Sequence, residues 1–175
     1  MTSWRRILGV RSIRRDYSIP EMTFMEPTQR PPELADFPVQ IAIPVQWGDQ
    51  DGFGHVNGVM YLKWFESARV AYLESSLLGN LMVERNHIGP IMASITCNYR
   101  RQIRYPDIVI IGAKVTRIGR TSIEMHHAIY STTDKAIGAD GTSILVYFDY
   151  KNQHPVPVTE ELRKAFEKLE GKQIG

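Results

Sequence analysis

The sequence predicts an α+β domain in which a curved antiparallel sheet of about five strands wraps around one long central helix. Three observations predict this fold class. One segment is apolar around most of a helical circumference, several later segments are rich in β-branched and aromatic residues, and the connections between those later segments are short. The apolar surface of such a helix must be buried, and a single sheet wrapped around the helix can bury it.

The composition is typical of a globular domain of 175 residues, with 43% hydrophobic and 23% charged residues. The net charge of +2 hides an asymmetry, because residues 1–15 hold five arginines and no acid, which leaves 16 basic against 19 acidic residues elsewhere. A mildly acidic domain gives little support to nucleic-acid binding. No apolar stretch approaches the roughly 20 residues that span a bilayer. The single cysteine, Cys97, excludes an internal disulfide and a cysteine metal cluster, and it favours a reducing compartment.

The N-terminal segment, residues 1–36, is expected to form a flexible, basic and proline-rich extension, because it contains four prolines and no sustained apolar period. Its arginine-rich, acid-poor start is typical of a mitochondrial transit peptide in a eukaryote, whereas in a bacterium it would be a disordered extension. The expected location is therefore cytoplasmic, with the mitochondrial matrix as the alternative. Folding is expected to begin near Phe37. The predicted domain spans residues 37–152, and residues 153–175 are expected to form a short C-terminal helix and a tail.

The first strand is predicted at residues 39–47, where apolar residues recur at every second position. Pro44 interrupts this pattern, which indicates an edge position or a bulge. Residues 48–58 follow, with four glycines and two aspartates. That composition predicts an ordered loop with unusual backbone angles.

The long helix is expected to begin after Asn57, which can act as its N-cap, and to run to about Leu78. Apolar side chains recur at helical spacing at Tyr61, Trp64, Phe65, Ala68 and Tyr72. The polar stripe is narrow and contains Lys63, Glu66 and Arg69. Such a helix is predicted to be mostly buried.

The rest of the chain predicts four strands and a second helix. The strands are expected at residues 92–101, 107–118, 122–131 and 136–150. Short connections at Gly119 and Arg120 and at Thr133 and Asp134 predict antiparallel hairpins. The second helix is expected at residues 159–169, with Thr159 as its N-cap.

The loop and the long helix share a specific pattern of residues. Residues 47–61 read WGDQDGFGHVNGVMY and residues 65–69 read FESAR. The pattern combines two aspartates spaced by one residue, a glycine-rich turn, a tyrosine and an aromatic-Glu-x-Ala-Arg segment. In this register it resembles the 4-hydroxybenzoyl-CoA thioesterase branch of the hotdog superfamily. The His-Val-Asn segment is also similar to acyl-acyl-carrier-protein thioesterases and long-chain acyl-CoA thioesterases. The resemblance covers roughly residues 37–150 and implies a hotdog fold and an acyl-CoA thioesterase.

The resemblance implies that Asp51 is the catalytic carboxylate. A carboxylate could attack the thioester carbonyl or activate a water, and both routes stay open. The first N–H groups of a helix lack intrahelical partners and carry partial positive charge, so Gly58 and Val59 are the expected oxyanion donors. The chain departs from the resemblance at Gly58, where many relatives carry a bulky Tyr, His or Asn.

Other residues of the motif have two interpretations each. His55 could orient Asp51 or a water, or it could be a loop histidine bonded to backbone. Asn57 is first a helix cap and second a candidate substrate contact, and Tyr61 is a further candidate substrate contact. Glu66 could form a structural pair on the polar stripe, but it is the reserve catalytic candidate, because some hotdog branches use an acid on this helix. Asp49 is expected to brace the loop rather than to react.

The resemblance also implies a coenzyme A contact. Arg120 occupies the hairpin position that resembles the CoA-phosphate contact of the family, and Arg117 is close to it in sequence. A second basic cluster contains Arg100, Arg101 and Arg104, which could meet CoA from a neighbouring subunit or line a solvated strand edge.

The expected partners are an acyl-CoA substrate and further copies of the chain, as a homodimer or homotetramer, because a single sheet leaves an edge open for pairing. Neither a cofactor nor a metal is expected, since CoA is part of the substrate and the five histidines show no ligand spacing. Two alternative functions stay open. One is hydrolysis of an acyl-acyl-carrier-protein, and the other is non-catalytic binding of an acyl-CoA.

Overall fold

The structure is a computed structural model, and it describes residues 25–28, 30–76 and 87–175. Within these ranges, seven strands form one antiparallel sheet around a long helix. The strands are β1 (Val39–Pro44), β2 (Ile88–Ile95), β3 (Asn98–Tyr99), β4 (Ile108–Ile118), β5 (Ser122–Ser131), β6 (Ala136–Asp149) and β7 (His154–Pro155). The helices are α1 (Gly58–Glu74) and α2 (Glu160–Glu170). None of the described helices is long and apolar enough to cross a membrane.

The strand order is β1-β4-β5-β6-β2, and the two-residue strands β3 and β7 both pair with β6. The five longer strands and the central helix confirm the predicted fold class. The two predicted hairpins are also confirmed, because β4 pairs with β5 and β5 pairs with β6 in antiparallel register. β1 lies at one end of this order, as the proline within it predicts.

Two strand boundaries differ from the prediction. The first strand ends at Pro44 instead of residue 47, because a 3₁₀ turn, Trp47–Asp49, follows it. Reciprocal bonds between Gln46 and Asp49 stabilise that turn. The strand predicted at residues 92–101 is split, since β2 begins earlier and ends at Ile95, and β3 pairs separately with β6.

Helix α1 packs its apolar face against the concave face of the sheet. All five residues of the predicted apolar face are at most 3% exposed. Phe65 approaches β6 closely because Gly141 has no side chain there. A Cβ atom at Gly141 would lie 2.9 Å from Phe65 Cε2 and would clash with the Thr96 carbonyl oxygen. The glycine therefore sets how closely the helix and the sheet can pack.

Both ends of α1 are capped by side chains. Asn57 Oδ1 accepts a hydrogen bond from the Val59 N–H at 3.0 Å, which confirms the predicted N-cap. The helix ends at Glu74, and the hydroxyl groups of Ser75 and Ser76 donate to backbone carbonyls of the last turn. The predicted helix end at Leu78 lies outside the described residues.

The two ends of the described chain also pack on the sheet. The Thr159 hydroxyl accepts from the Leu162 N–H, as predicted, and the buried side chains of α2 join the main core. The predicted N-terminal extension lies mostly outside the described residues. Of its described part, Leu34 is fully buried with Phe37 in a second cluster on the opposite face of the sheet. Tertiary packing thus begins before Phe37, because this apolar side chain covers the outer face.

Candidate active site

The loop before α1 is a tight turn that its own backbone holds closed. The Asp51 N–H donates to the His55 carbonyl at 2.9 Å, and the Gly54 N–H donates to the Asp51 carbonyl at 3.1 Å. Gly54 has a φ of 76°, which side chains rarely adopt. The carboxylate of Asp49 accepts from the Gln46 N–H at 2.8 Å, so Asp49 braces the loop as predicted. The turn brings Asp51 and His55 side by side.

The Asp51 carboxylate has one oxygen in the loop and one facing His55. Its Oδ1 accepts from the Phe53 N–H at 2.8 Å, which is the bond of an Asx turn. Its Oδ2 lies 3.5 Å from His55 Nδ1. About a quarter of the Asp51 side chain, 26%, is exposed to solvent. The carboxylate therefore combines a structural bond with a free oxygen that water can reach.

The His55 ring makes both of the contacts that the sequence left open. Its Nδ1 lies 3.5 Å from Asp51 Oδ2 and 3.3 Å from the Val56 carbonyl oxygen. With the proton on Nδ1, the ring can donate to either oxygen and leave Nε2 as an acceptor. The Val56 carbonyl and the Asp51 carboxylate therefore both lie within reach of Nδ1.

The first turn of α1 offers one backbone donor. The Asn57 carbonyl accepts from the Met60 N–H at 2.9 Å, and the Asn57 side chain accepts from the Val59 N–H. No hydrogen bond among the described residues uses the Gly58 N–H as its donor, and a first helical residue has no intrahelical partner for that group. In this conformation Gly58 is available as an oxyanion donor. Val59, the second predicted donor, is occupied by the cap.

A cleft with a volume of about 390 Å³ opens at this helix start. It is lined by His55, Val56, Gly58, Tyr61, Tyr99, Arg100, Arg101 and Gln102. Tyr61 forms the buried wall, where its hydroxyl accepts from the Ile103 N–H at 3.2 Å. Burial raises the pKa of Tyr61, so this phenol stays neutral.

The structure brings only part of the predicted set to the cleft. His55, Gly58 and Tyr61 line it, whereas Asp51 does not, although its Oδ2 lies 3.5 Å from His55 Nδ1. Glu66 does not line the cleft, because its side chain is 65% exposed on the polar stripe and lies 3.5 Å from Arg69.

The two predicted CoA-binding arginines, Arg117 and Arg120, are exposed and do not line the cleft either. The cations that line the cleft, Arg100 and Arg101, come from the second basic cluster. Arg100 donates to both carboxylate oxygens of Asp140, and this pairing lowers the pKa of Asp140. Arg101 is exposed and has no charged partner among the described residues.

Comparison with known families decides the identity of this arrangement. Residues 45–166 match the sequence model of the thioesterase-like superfamily. This chain belongs to the thioesterase-like superfamily. The family confirms the predicted enzyme class, a thioester hydrolase.

Individual known proteins show similar sequences and folds. The long-chain acyl-CoA thioesterase FadM of Escherichia coli is 28% identical over 75% of this chain and 98% of its own length. The uncharacterized Bacillus subtilis protein YsmA is 29% identical over 49% of this chain, and the match spans only 56% of YsmA. A crystal structure of a Thermus thermophilus thioesterase, complexed with coenzyme A and Zn, is 29% identical and covers 79% of this chain and 98% of its own, with a TM-score of 0.68.

Sequence reasoning missed Tyr99 and Gln102, which line the cleft of this superfamily member. Tyr99 lies in the segment predicted as a continuous strand, residues 92–101, and Gln102 directly follows it. The break in pairing between β2 and β3 turns this segment toward the helix start. In the sequence, only the cluster of arginines next to Tyr99 indicated that this segment contributes to the cleft.

Proposed function

We propose that this protein hydrolyses an acyl-CoA to a free acid and CoA in the cleft at the start of α1. One observation carries the proposal: the Gly58 N–H, which lacks a partner among the described residues, lies on the same cleft as His55, whose ring contacts the Asp51 carboxylate. A thioesterase needs a donor for the oxyanion and a base or nucleophile for the carbonyl. Gly58 could supply the first and Asp51, next to His55, the second, and similarity to FadM and to a CoA-complexed thioesterase supports the substrate class.

The oxyanion is proposed to bind at Gly58. The unpaired N–H groups and the macrodipole at a helix N-terminus favour negative charge. A donor of this kind typically contributes about 100- to 1000-fold in rate.

Asp51 is proposed to be the catalytic carboxylate. In the general-base route it takes a proton from a water, and the resulting hydroxide attacks the carbonyl carbon. The tetrahedral intermediate then collapses, the C–S bond breaks and the thiolate of CoA takes up a proton. In the nucleophilic route Asp51 attacks the carbonyl carbon, the C–S bond breaks as the CoA thiolate leaves and takes up a proton, and water hydrolyses the resulting mixed anhydride. Asp51 does not itself line the cleft, which favours the first route, because a water can span the distance between the carboxylate and the carbonyl carbon.

The phosphates of CoA are proposed to meet the exposed arginines. Arg101 is the strongest candidate, because it lines the cleft and has no carboxylate partner among the described residues. Arg100 contributes less net charge, since Asp140 neutralises it. Arg117 and Arg120 remain candidates for the outer part of the ligand.

A homodimer is proposed as the working assembly. Strand β2 lies at the other end of the strand order from β1, and an edge of this kind presents unpaired backbone groups to a second strand. Large apolar side chains near the loop are also exposed, including Trp47 at 76% and Phe53 at 88%. A second copy of the chain would cover such surface.

The test is a thiol-release assay with acyl-CoAs of increasing chain length, run on the wild type, Asp51→Asn and Asp49→Asn. Asp51→Asn should lower kcat at least about 100-fold, because amide nitrogen and oxygen cannot accept the proton. The matched change Asp49→Asn keeps an oxygen acceptor for the loop and should stay within about threefold of the wild type.

Three outcomes would contradict parts of this proposal. Undiminished hydrolysis by Asp51→Asn removes the role of Asp51. Turnover of acyl-acyl-carrier-protein but of no acyl-CoA favours the carrier-protein alternative. Acyl-CoA binding without turnover of either substrate favours a binding protein.

A further inference from the structure

Tyr99 makes a contact with the helix start that the proposed chemistry does not yet use. Its hydroxyl donates to the Gly58 carbonyl oxygen at 3.0 Å. Its ring packs edge-on against Tyr61, with 5.0 Å between the ring centroids. Although 56% of Tyr99 is exposed, its polar end is therefore directed at the first peptide bond of α1.

The peptide bond between Gly58 and Val59 is held from both sides. Its N–H donates to the Asn57 side chain, and its carbonyl accepts from Tyr99. Because the peptide unit is planar, these two bonds fix the orientation of the whole unit. Glycine has more backbone freedom than any other residue, so the first helical residue needs such external support. The Gly58 N–H belongs to the preceding peptide unit, and only the φ and ψ torsions of Gly58 separate the two units. Fixing the Gly58 carbonyl therefore limits the directions that the Gly58 N–H can take.

Tyr99 also leaves little space for a side chain at position 58. A Cβ atom there would lie 3.0 Å from the Tyr99 hydroxyl oxygen and 3.3 Å from the ring carbon that bears it. The phenol therefore fills the space that a side chain at position 58 would enter. The two residues are complementary although 41 positions separate them.

We propose that Tyr99 is a positioning residue of the thioesterase reaction, which holds the Gly58 carbonyl and so limits the torsions of Gly58 to those in which its N–H faces the thioester carbonyl. The inference rests on the proposed function, since it assigns Gly58 as the oxyanion donor. Tyr99 acts through Gly58 and exchanges no proton with the substrate. Burial and the neighbouring Cys97 raise the pKa of Tyr99, so the phenol keeps the proton that it donates.

The kinetic test compares Tyr99→Phe with Tyr150→Phe. Tyr150 is a matched control, because its hydroxyl also donates to a backbone carbonyl, that of Pro90, at 3.0 Å, and it does not line the cleft. Tyr99→Phe should lower kcat about 3- to 10-fold, the range expected for one neutral hydrogen bond. KM should stay within about twofold and the shape of the pH profile should not change, whereas Tyr150→Phe should behave like the wild type.

A second readout follows the hydrogen bond itself. The sequence contains two Gly-Val pairs, Gly9–Val10 and Gly58–Val59. Labelling glycine with ¹³C at the carbonyl and valine with ¹⁵N therefore gives two carbonyl–amide correlations in an NMR spectrum. Tyr99→Phe should shift the Gly58 carbonyl resonance upfield and leave the Gly9 resonance in place as the reference.

The outcomes separate this inference from the proposed function. If the wild type hydrolyses acyl-CoA, Asp51→Asn does not, and Tyr99→Phe retains the wild-type kcat, the positioning role of Tyr99 is refuted and the function stands. An unchanged Gly58 carbonyl resonance, or a rise in KM instead of a fall in kcat, also refutes it. If the wild type hydrolyses no acyl-CoA, the proposed function fails and the positioning role fails with it.

Discussion

Replacing Asn57 by Asp would separate the structural and the proposed catalytic roles of the helix start. Asn57 Oδ1 accepts from the Val59 N–H at 3.0 Å, and a carboxylate in the same place keeps that acceptor. A negative charge at a helix N-terminus also stabilises the helix by about 0.3–1 kcal/mol. The free energy of unfolding of Asn57→Asp should therefore equal or slightly exceed that of the wild type.

The same charge opposes the reaction. Asn57 directly precedes Gly58, whose N–H is the proposed oxyanion donor, so the new carboxylate would face the developing charge. At a separation of ~6 Å and an effective dielectric constant of ~20, the repulsion is ~3 kcal/mol, which corresponds to a loss in kcat of ~100-fold. Stability and activity should thus move in opposite directions.

Urea unfolding and thiol release measure the two effects on the same preparation. Asn57→Ala is the matched control, because it removes the cap without adding charge. It should lose about 1 kcal/mol of stability and a much smaller part of kcat. If Asn57→Asp hydrolyses acyl-CoA at the wild-type rate, the oxyanion does not form at the start of α1.

Three further predictions concern the core and the ligand. Burial, followed by the charges of neighbouring cations, lowers the pKa of His127 to about 3, so it is neutral when folded and takes up a proton near pH 6.5 when unfolded. Stability should therefore fall by up to about 1.4 kcal/mol per pH unit as the pH drops from about 6.5 towards 3, and His127→Leu should flatten this slope in urea titrations. Gly141→Ala should lower stability by about 3 kcal/mol or more and reduce the yield of folded protein, because its Cβ meets Phe65 and a backbone carbonyl that cannot yield. Arg101→Ala should raise KM for acyl-CoA about 10-fold with little change in kcat, an effect that should shrink in high salt.

The parts of the fold that the sequence predicts well depend on local signals. The cap of α1 needs only an asparagine side chain two residues before an N–H that it can reach. The buried face of α1 follows from helical spacing, and the two hairpins follow from short turns between β-branched segments. The contact between Asp51 and His55 is also local, because the glycine turn closes over five residues.

The remaining features of the site depend on contacts between distant segments. Tyr99 reaches Gly58 only because the pairing with β6 breaks after β2 and resumes in β3. The pairing of Arg100 with Asp140 joins the residue after β3 to β6 and neutralises one of the three charges of the arginine cluster. The local sequence around Tyr99 or Arg100 does not indicate these contacts, because each contact joins residues about 40 positions apart.

The direct test of the central claim is a crystal structure of the protein with a non-hydrolysable acyl-CoA analogue. We expect the carbonyl oxygen of the analogue to lie about 2.7–3.1 Å from the Gly58 nitrogen. We also expect the Asp51 carboxylate to face the carbonyl carbon, either directly or through one water. An analogue whose carbonyl binds away from the start of α1, with the Gly58 N–H bonded elsewhere, would contradict the account.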